Sequence, residues 1–308
     1  MSAGTFEAFD LDHLALIDVR GADARAFLAA QLTSDLRRVT PAASQLSAWC
    51  TAQGRVIATL RVVEMDAGFV LVLARDLVEP VLRRLRMFVL RSKVTLAAAA
   101  ELAVFGVRGA PPGWAPDALP RDVDGATRFD SGVVVRVHGT PMRHLLLAQP
   151  ATIDRLRTAA RTAGSLRDAL AWRHADIDAG IAHVALAASE QFLPQMLNLD
   201  CVGAVAFDKG CYPGQEVVAR LKYRGQLKRR MYRAWSAAAA TPAPNARLAV
   251  IAGDAQDHGN VVDAVPGGDG RQRMSVVLPI ALADARIGLD DADTAPVDVE
   301  PVPYPLAD

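Results

Sequence analysis

Apolar positions along this chain fall in short bursts, each closed by a turn-forming or charged residue. Residues 14–19 form an apolar run ended by Arg20-Gly21, the pattern of a strand and its turn. Ala24, Phe27, Leu28 and Gln31-Leu32 then recur at helical spacing within 22–32, so a strand-to-helix unit opens the fold. Strands are predicted over 46–50, 55–63 and 69–74, the first two separated by a Gln53-Gly54 turn. Residues 77–90 have the period of an amphipathic helix with Arg83, Arg84 and Arg86 toward solvent. Further strands over 94–96, 102–107, 133–137 and 145–148 surround a turn-rich stretch at 109–125. Helices follow over about 151–163 and 165–173, and a third is suggested over 215–221.

Helical periodicity ends near residue 230. Beyond it, strands at 231–235, 248–251, 260–265 and 274–277 are divided by Pro, Gly and Asp clusters, which predicts a small all-β domain. Hairpin-like strand pairs with intervening helices point to an α+β fold with largely antiparallel sheets, and not to a parallel doubly wound one. The expected division is a core over 1–229, itself of two interleaved subdomains, and a barrel over 230–308.

Composition adds compartment and charge to this outline. The 308 residues are 51% hydrophobic and 22% charged, a globular balance without a disorder signature. Cys50, Cys201 and Cys211 cannot make a paired disulfide framework and show no zinc spacing, and the six histidines show no metal spacing either; a reducing cytoplasm is expected. No apolar run has the length of a membrane span, and the N-terminus carries acid where a targeting signal carries base. Lys+Arg and Asp+Glu are 34 each, which excludes attachment to nucleic acid or membrane by bulk charge. The zero hides segregation. Residues 217–253 hold eight bases and no acid, whereas the chain from Asp284 onward holds seven acids and one base.

Chemistry concentrates at residues 207–216. Gly210, Pro213 and Gly214 put Cys211 on a tight turn ahead of a helix. Lys209 and the helix start are placed to favour a thiolate. The alternatives are a reactive, ligand-facing thiol and an ordinary turn in which Cys is a small hydrophobe.

Lys209-Gly-Cys-Tyr-Pro-Gly-Gln-Glu216 resembles the K-G-C-[YF]-x-G-Q-E motif of YgfZ-type folate-binding proteins, relatives of the glycine-cleavage T-protein, an aminomethyltransferase. Ile177-Asp-Ala-Gly-Ile181, Gln191-Phe-Leu-Pro-Gln195 with Asn198-Leu199, and Lys222-Tyr-Arg-Gly225 with Lys228-Arg229 resemble further motifs of that family. So do Gly21-Ala-Asp23 with Gln31-Leu-Thr-Ser-Asp35, Cys50-Thr-Ala-Gln-Gly-Arg55, Ser92-Lys-Val-Thr95 and Glu300-Pro-Val-Pro-Tyr304. The resemblance spans the chain in order. It implies two related ferredoxin-like units forming a folate-binding core, a C-terminal β-barrel, and a tetrahydrofolate site in a central cavity. It also implies a role in assembling or repairing iron–sulfur clusters, felt by enzymes that modify tRNA, with iron–sulfur assembly proteins or client enzymes as partners and a transient cluster contact at the thiol.

Carried over residue by residue, Asp178 stands where the family's Glu faces the pterin, and Trp172 where a tryptophan lines the folate. Gln195, Tyr212 and Gln215 fall in the matched motifs and are assigned to the same site. Cys211 becomes the reactive thiol and Lys209 its activator. Leu14 replaces a companion aromatic. T-proteins read G-G-x-x-D-D-L after the Gly-Gly turn; here Gly54-Arg-Val-Ile-Ala-Thr-Leu60 puts Ala58 and Thr59 at the carboxylate positions, which argues against aminomethyl transfer, the alternative function. Seven bases within residues 220–233, among them Arg220, Lys222, Arg224, Lys228 and Arg229, leave three readings: a solvated face, a site for a folate polyglutamate tail, or a contact for RNA or a protein. Direct RNA binding is the least favoured, because no RNA-binding motif accompanies them.

Overall fold

The structure is a computed structural model that describes residues 6–65, 68–111, 114, 119–129, 132–251, 257–290 and 295–306. Two sheets lie face to face and a closed barrel stands beside them. The first sheet has the order Gln45–Cys50, Val56–Met65, Gly68–Ala74, Leu14–Arg20, Thr95–Ala98, every neighbour antiparallel. With helices Ala24–Gln31 and Val78–Arg86 this is a ferredoxin-like βαββαβ unit carrying one extra edge strand. Both helices bury Phe27, Leu28, Val81, Leu82 and Leu85 on one face of the sheet, against Ile17, Val19, Leu71 and Leu73.

The second sheet runs Leu166–Arg167, Glu7–Asp10, Ala103–Arg108, Arg143–Ala148, Gly132–Val137, Ala126–Phe129. Its outer face is covered by helix Pro150–Thr162 through Ile153, Leu156 and Ala160. The N-terminal strand Glu7–Asp10 crosses over to this sheet before the chain starts the first one, so the two units interleave. Their inner faces meet through Leu16, Val70 and Val72 on one side and Val133, Val135 and Leu147 on the other, with Trp172 at the seam. The barrel closes from six strands: Arg229–Ser236, Gln272–Pro279, Gly259–Pro266, Arg247–Val250, Ile287–Leu289 and Pro296–Glu300.

Several elements differ from the sequence pattern. Helix Val78–Arg86 stops four residues before 90, and the chain leaves it through bonded turns that expose Met87, Phe88 and Leu90. The helix expected from 165 starts at Ala169 instead, where the Asp168 carboxylate accepts from the Ala171 N–H, and it runs to Asp178. Residues 166–167 are taken as a strand by pairing with Ala8 and Phe9. Strands Glu7–Asp10, Ala126–Phe129, Ile287–Leu289 and Pro296–Glu300 carry too few apolar residues to be seen without their partners.

Candidate functional site

A cavity of about 80 Å³ opens where the two sheets meet, large enough for a few waters. Its walls are Leu14, Leu60, Val72, Val137, Leu145 and Trp172, and its polar groups are Thr59, Arg61, His138, Asp176 and His183. Trp172 is 2% exposed and stacks edge-on against Phe9. It lies so close to the strand Ala103–Arg108 that a Cβ at Gly106 would stand 2.7 Å from the indole ring. The Arg143 guanidinium covers the ring at 4.5 Å from the centroid and ion-pairs with Asp176. The carboxylate that helix Ala169–Asp178 turns into the cavity is therefore Asp176, one helical turn beyond Trp172.

Asp178 is placed elsewhere. Its carboxylate accepts from Arg273 of the barrel at 2.9 Å and faces His174 at 3.1 Å. Burial raises its pKa, but the hydrogen bonds from His174 and Arg273 outweigh that and the net shift is downward. With Arg173–Asp263 and Arg273–Glu300, it forms an ionic seam between core and barrel. The same corner holds Gly180, at φ +67, where a Cβ would meet the Tyr304 ring at 2.8 Å, while the Tyr304 hydroxyl donates to the Gly180 carbonyl.

Of the two positions that carry carboxylates in T-proteins, Ala58 points into the helix-covered core of the first unit. Only Thr59 faces the cavity, and its hydroxyl accepts the Val184 N–H at 3.1 Å. His138 was not singled out by sequence. It lines the cavity, its Nδ1 is buried with no hydrogen-bond partner among the described residues, and burial, then the nearby Arg61 charge, lowers its pKa to about 4. Adjacent to it in kind is His13, whose two ring nitrogens are also buried without partners among the described residues and whose ring meets His183 edge-on at 5.3 Å. A lone histidine in a polar loop carries no pattern that separates it from its neighbours, so only the fold exposes these groups.

The cysteine turn is a second, separate construction. Cys211 is exposed, Cys50 is buried with its pKa pushed up to about 12 by desolvation, and Cys201 is half-buried. Gly214 sits at φ +82 immediately before helix Gln215–Tyr223, and a Cβ there would lie 2.5 Å from the Gly54 Cα and 2.6 Å from the Thr51 carbonyl oxygen. The turn after strand Gln45–Cys50 and the cysteine turn thus touch backbone to backbone. Lys209 donates to the carbonyls of Ala29, at 2.7 Å, and Leu32, at the C-terminal end of helix Ala24–Gln31, and its ammonium lies over the Tyr212 ring. Burial lowers its pKa to about 8. No hydrogen bond joins Lys209 to Cys211 among the described residues, so Lys209 holds the turn in place. Tyr212 is buried with its hydroxyl unpartnered among the described residues, and Gln215 braces the loop by reaching the Lys209 carbonyl at 3.5 Å.

Gln195 belongs to neither place: buried, it donates to the Val218 carbonyl at 2.7 Å and fixes helix Gln215–Tyr223 from behind. The basic stretch also divides. Arg230 is buried on Asp200 and Arg233 pairs with Glu300, which leaves Arg220, Lys222, Arg224 and Lys228 exposed and Arg229 half-buried near Asp257. In the acidic stretch, Asp291, Asp293 and Asp308 lie outside the described residues. Among the described residues no group of three or more His, Cys, Asp or Glu is placed to hold a metal, and no helix is long and apolar enough to cross a membrane.

Two interleaved α+β units with a barrel define a fold of the glycine-cleavage T-protein type. The aminomethyltransferase T of the glycine cleavage system from Bartonella henselae superposes with a TM-score of 0.74 over 97% of this chain and 86% of that one, at 16% identity. At the level of sequence, the chain belongs to the YgfZ family. It is 34% identical to the tRNA-modifying protein YgfZ of Klebsiella pneumoniae over 97% of this chain and 93% of that protein. It is 32% identical to the proteins of that name from Shigella boydii and Escherichia coli O157:H7, over 96% of this chain and 92% of each. A scan against protein-family profiles matches none.

Proposed function

We propose that this protein binds tetrahydrofolate in the central cavity and serves as an accessory factor in iron–sulfur cluster assembly or repair, supporting tRNA-modifying enzymes that carry such clusters. The observation that carries the folate reading is the make-up of the cavity. A flat indole wall, the Asp176 carboxylate and the unpartnered Nδ1 of His138 suit a heterocycle whose ring edge presents N–H donors. Asp176, still paired with Arg143, and His138 would accept those donors, and Trp172 would form an apolar wall of the site. A heterocycle would enter past His138, Ile181 and His183, the half-buried residues of the lining. Bound folate would supply one-carbon chemistry or a redox-active pterin.

The tRNA-related role rests on the name carried by the YgfZ relatives. Cys211 would act from its exposed turn as the thiol that contacts a cluster or client, held by Lys209 and the Gly54–Gly214 contact. Thr59 speaks against aminomethyl transfer, since a hydroxyl that accepts a backbone N–H is no proton carrier near neutral pH. The test is a thermal melt with and without tetrahydrofolate. The folate should raise the melting temperature of the wild type, and Ile181→Trp, which plugs the cavity, should remove the rise. An unmoved wild-type transition eliminates the folate reading.

A further inference from the structure

Where helix Val78–Arg86 ends, the chain holds an apolar knob out to solvent. Met87 is 64%, Phe88 44% and Leu90 88% exposed. The knob is ordered by its own backbone: Met87, Phe88 and Val89 N–H groups donate to Arg84, Leu85 and Arg86, and Ser92 N–H returns to Val89. Leu90 is left-handed, at φ +45, a conformation that a leucine adopts at a cost and for which its side chain has no compensating hydrogen bond. Burial does not account for that strain, because this side chain buries almost nothing.

The segment that carries the knob is one-signed. Residues 83–93 contain five bases, Arg83, Arg84, Arg86, Arg91 and Lys93, and no acid. Arg84 pairs with Glu190 and Arg86 with the Leu96 carbonyl, whereas no ion pair engages Arg83, Arg91 or Lys93 among the described residues. Beneath the knob, Phe88 meets Trp49 edge-on at 6.4 Å, and Trp49 bridges to Leu32, whose carbonyl accepts the Lys209 ammonium. Knob and cysteine turn are thus fastened to the same end of helix Ala24–Gln31.

We propose that residues 87–90 with Arg83, Arg91 and Lys93 form a docking surface for a protein segment that presents an apolar anchor flanked by carboxylates. Exposed apolar side chains ringed by unpaired cations complement that chemistry. Nucleic acid is a poorer fit, since the knob's single ring, Phe88, already packs on Trp49 and Met87 and Leu90 offer none for a base to stack on.

The experiment titrates the full chain into a short fluorescein-labelled peptide with phenylalanine and leucine at helical spacing and glutamates between them. Lysine-substituted peptide, phosphatidylglycerol vesicles and single-stranded RNA run in parallel. Leu90→Gly removes the anchor and frees the backbone of its left-handed strain, so it should raise the melting temperature while weakening the acidic peptide about tenfold. Arg91→Glu should weaken it comparably with the melt unchanged. The proposal is overturned by an acidic peptide that does not bind, or that binds both variants as well as wild type. It is equally overturned by a patch-dependent preference for vesicles or RNA, or by a Leu90→Gly protein that melts lower than wild type.

Discussion

The central cavity and the cysteine turn are both built from family motifs, yet they are built in opposite ways. The cavity is a gap in the hydrophobic seam between the two sheets, and the residues that would hold a ligand also hold the protein together. Trp172 packs on Phe9 and Gly106, and Asp176 is the counter-ion of Arg143, a guanidinium with 1% of its side chain exposed. The turn is a surface loop fixed at a few backbone points, with the Cys211 thiol outside the packing. Ligand and stability are fused in the first region and separable in the second.

Mutations can break or sharpen that contrast. The largest effect is expected from Trp172→Ala, which empties a fully packed site and should lower stability by about 4 kcal/mol. Chemical denaturation would measure it, and a loss below about 1 kcal/mol would show that the indole is not core at all. Gly214→Ala comes next. It demands a left-handed alanine and drives a Cβ into Gly54, so a loss of about 3 kcal/mol is expected from conformation and clash together. The complementary change Gly54→Ala, also left-handed at φ +76, meets the Val217 Cβ at 3.2 Å and the Gly214 carbonyl oxygen at 3.4 Å, looser contacts than those at Gly214, and should cost less. Equal losses would mean that the two turns do not lock as described.

How much of this was legible in the sequence follows the same division. Gly54 stood out as the turn between two strands and Gly214 as a turn glycine close to Cys211, and the structure joins them. The strands around residues 56–74 were legible as apolar runs closed by turns, whereas their ferredoxin-like arrangement came from the family resemblance. Asp178 and Asp176 show the limit. Two residues apart on one helix, they face opposite ways, and which one enters the cavity depends on where the helix begins, set by the Asp168 cap and the short 166–167 strand. Lys209 is comparable: its position beside Cys211 in sequence suggested thiolate activation, but the carbonyls that hold it come from residues about 180 positions earlier.

A smaller, pH-dependent effect separates the regions by their titrating groups. His138 is neutral in the folded cavity down to about pH 4, held there by burial, but takes a proton at its ordinary value of 6.5 once unfolded. The unfolded state therefore binds more protons between these limits, and stability falls as pH drops from about 6.5 toward 4. His138→Asn should flatten that slope in denaturant titrations across the range, whereas Cys211→Ser should leave it unchanged. A wild-type slope that survives His138→Asn intact would assign the acid sensitivity to other groups such as His13.

The smallest effect on stability belongs to Cys211 itself. Its side chain is exposed and makes no hydrogen bond among the described residues, so Cys211→Ser should shift stability by less than about 0.5 kcal/mol. Its effect on reactivity should be complete. In native protein near neutral pH, iodoacetamide should reach Cys211 first, Cys201 more slowly because its S–H faces the Asp200 carboxylate, and Cys50 only on unfolding, since burial denies it both access and its thiolate. Mass spectrometry of timed samples reads the order directly. Gly214→Ala, which displaces the turn, should then slow labelling at Cys211 toward the Cys201 rate. A Cys211 that labels no faster than Cys201 in the wild type would reduce the turn to a structural loop, and the contrast between a fused cavity and a separable thiol would lose its second half.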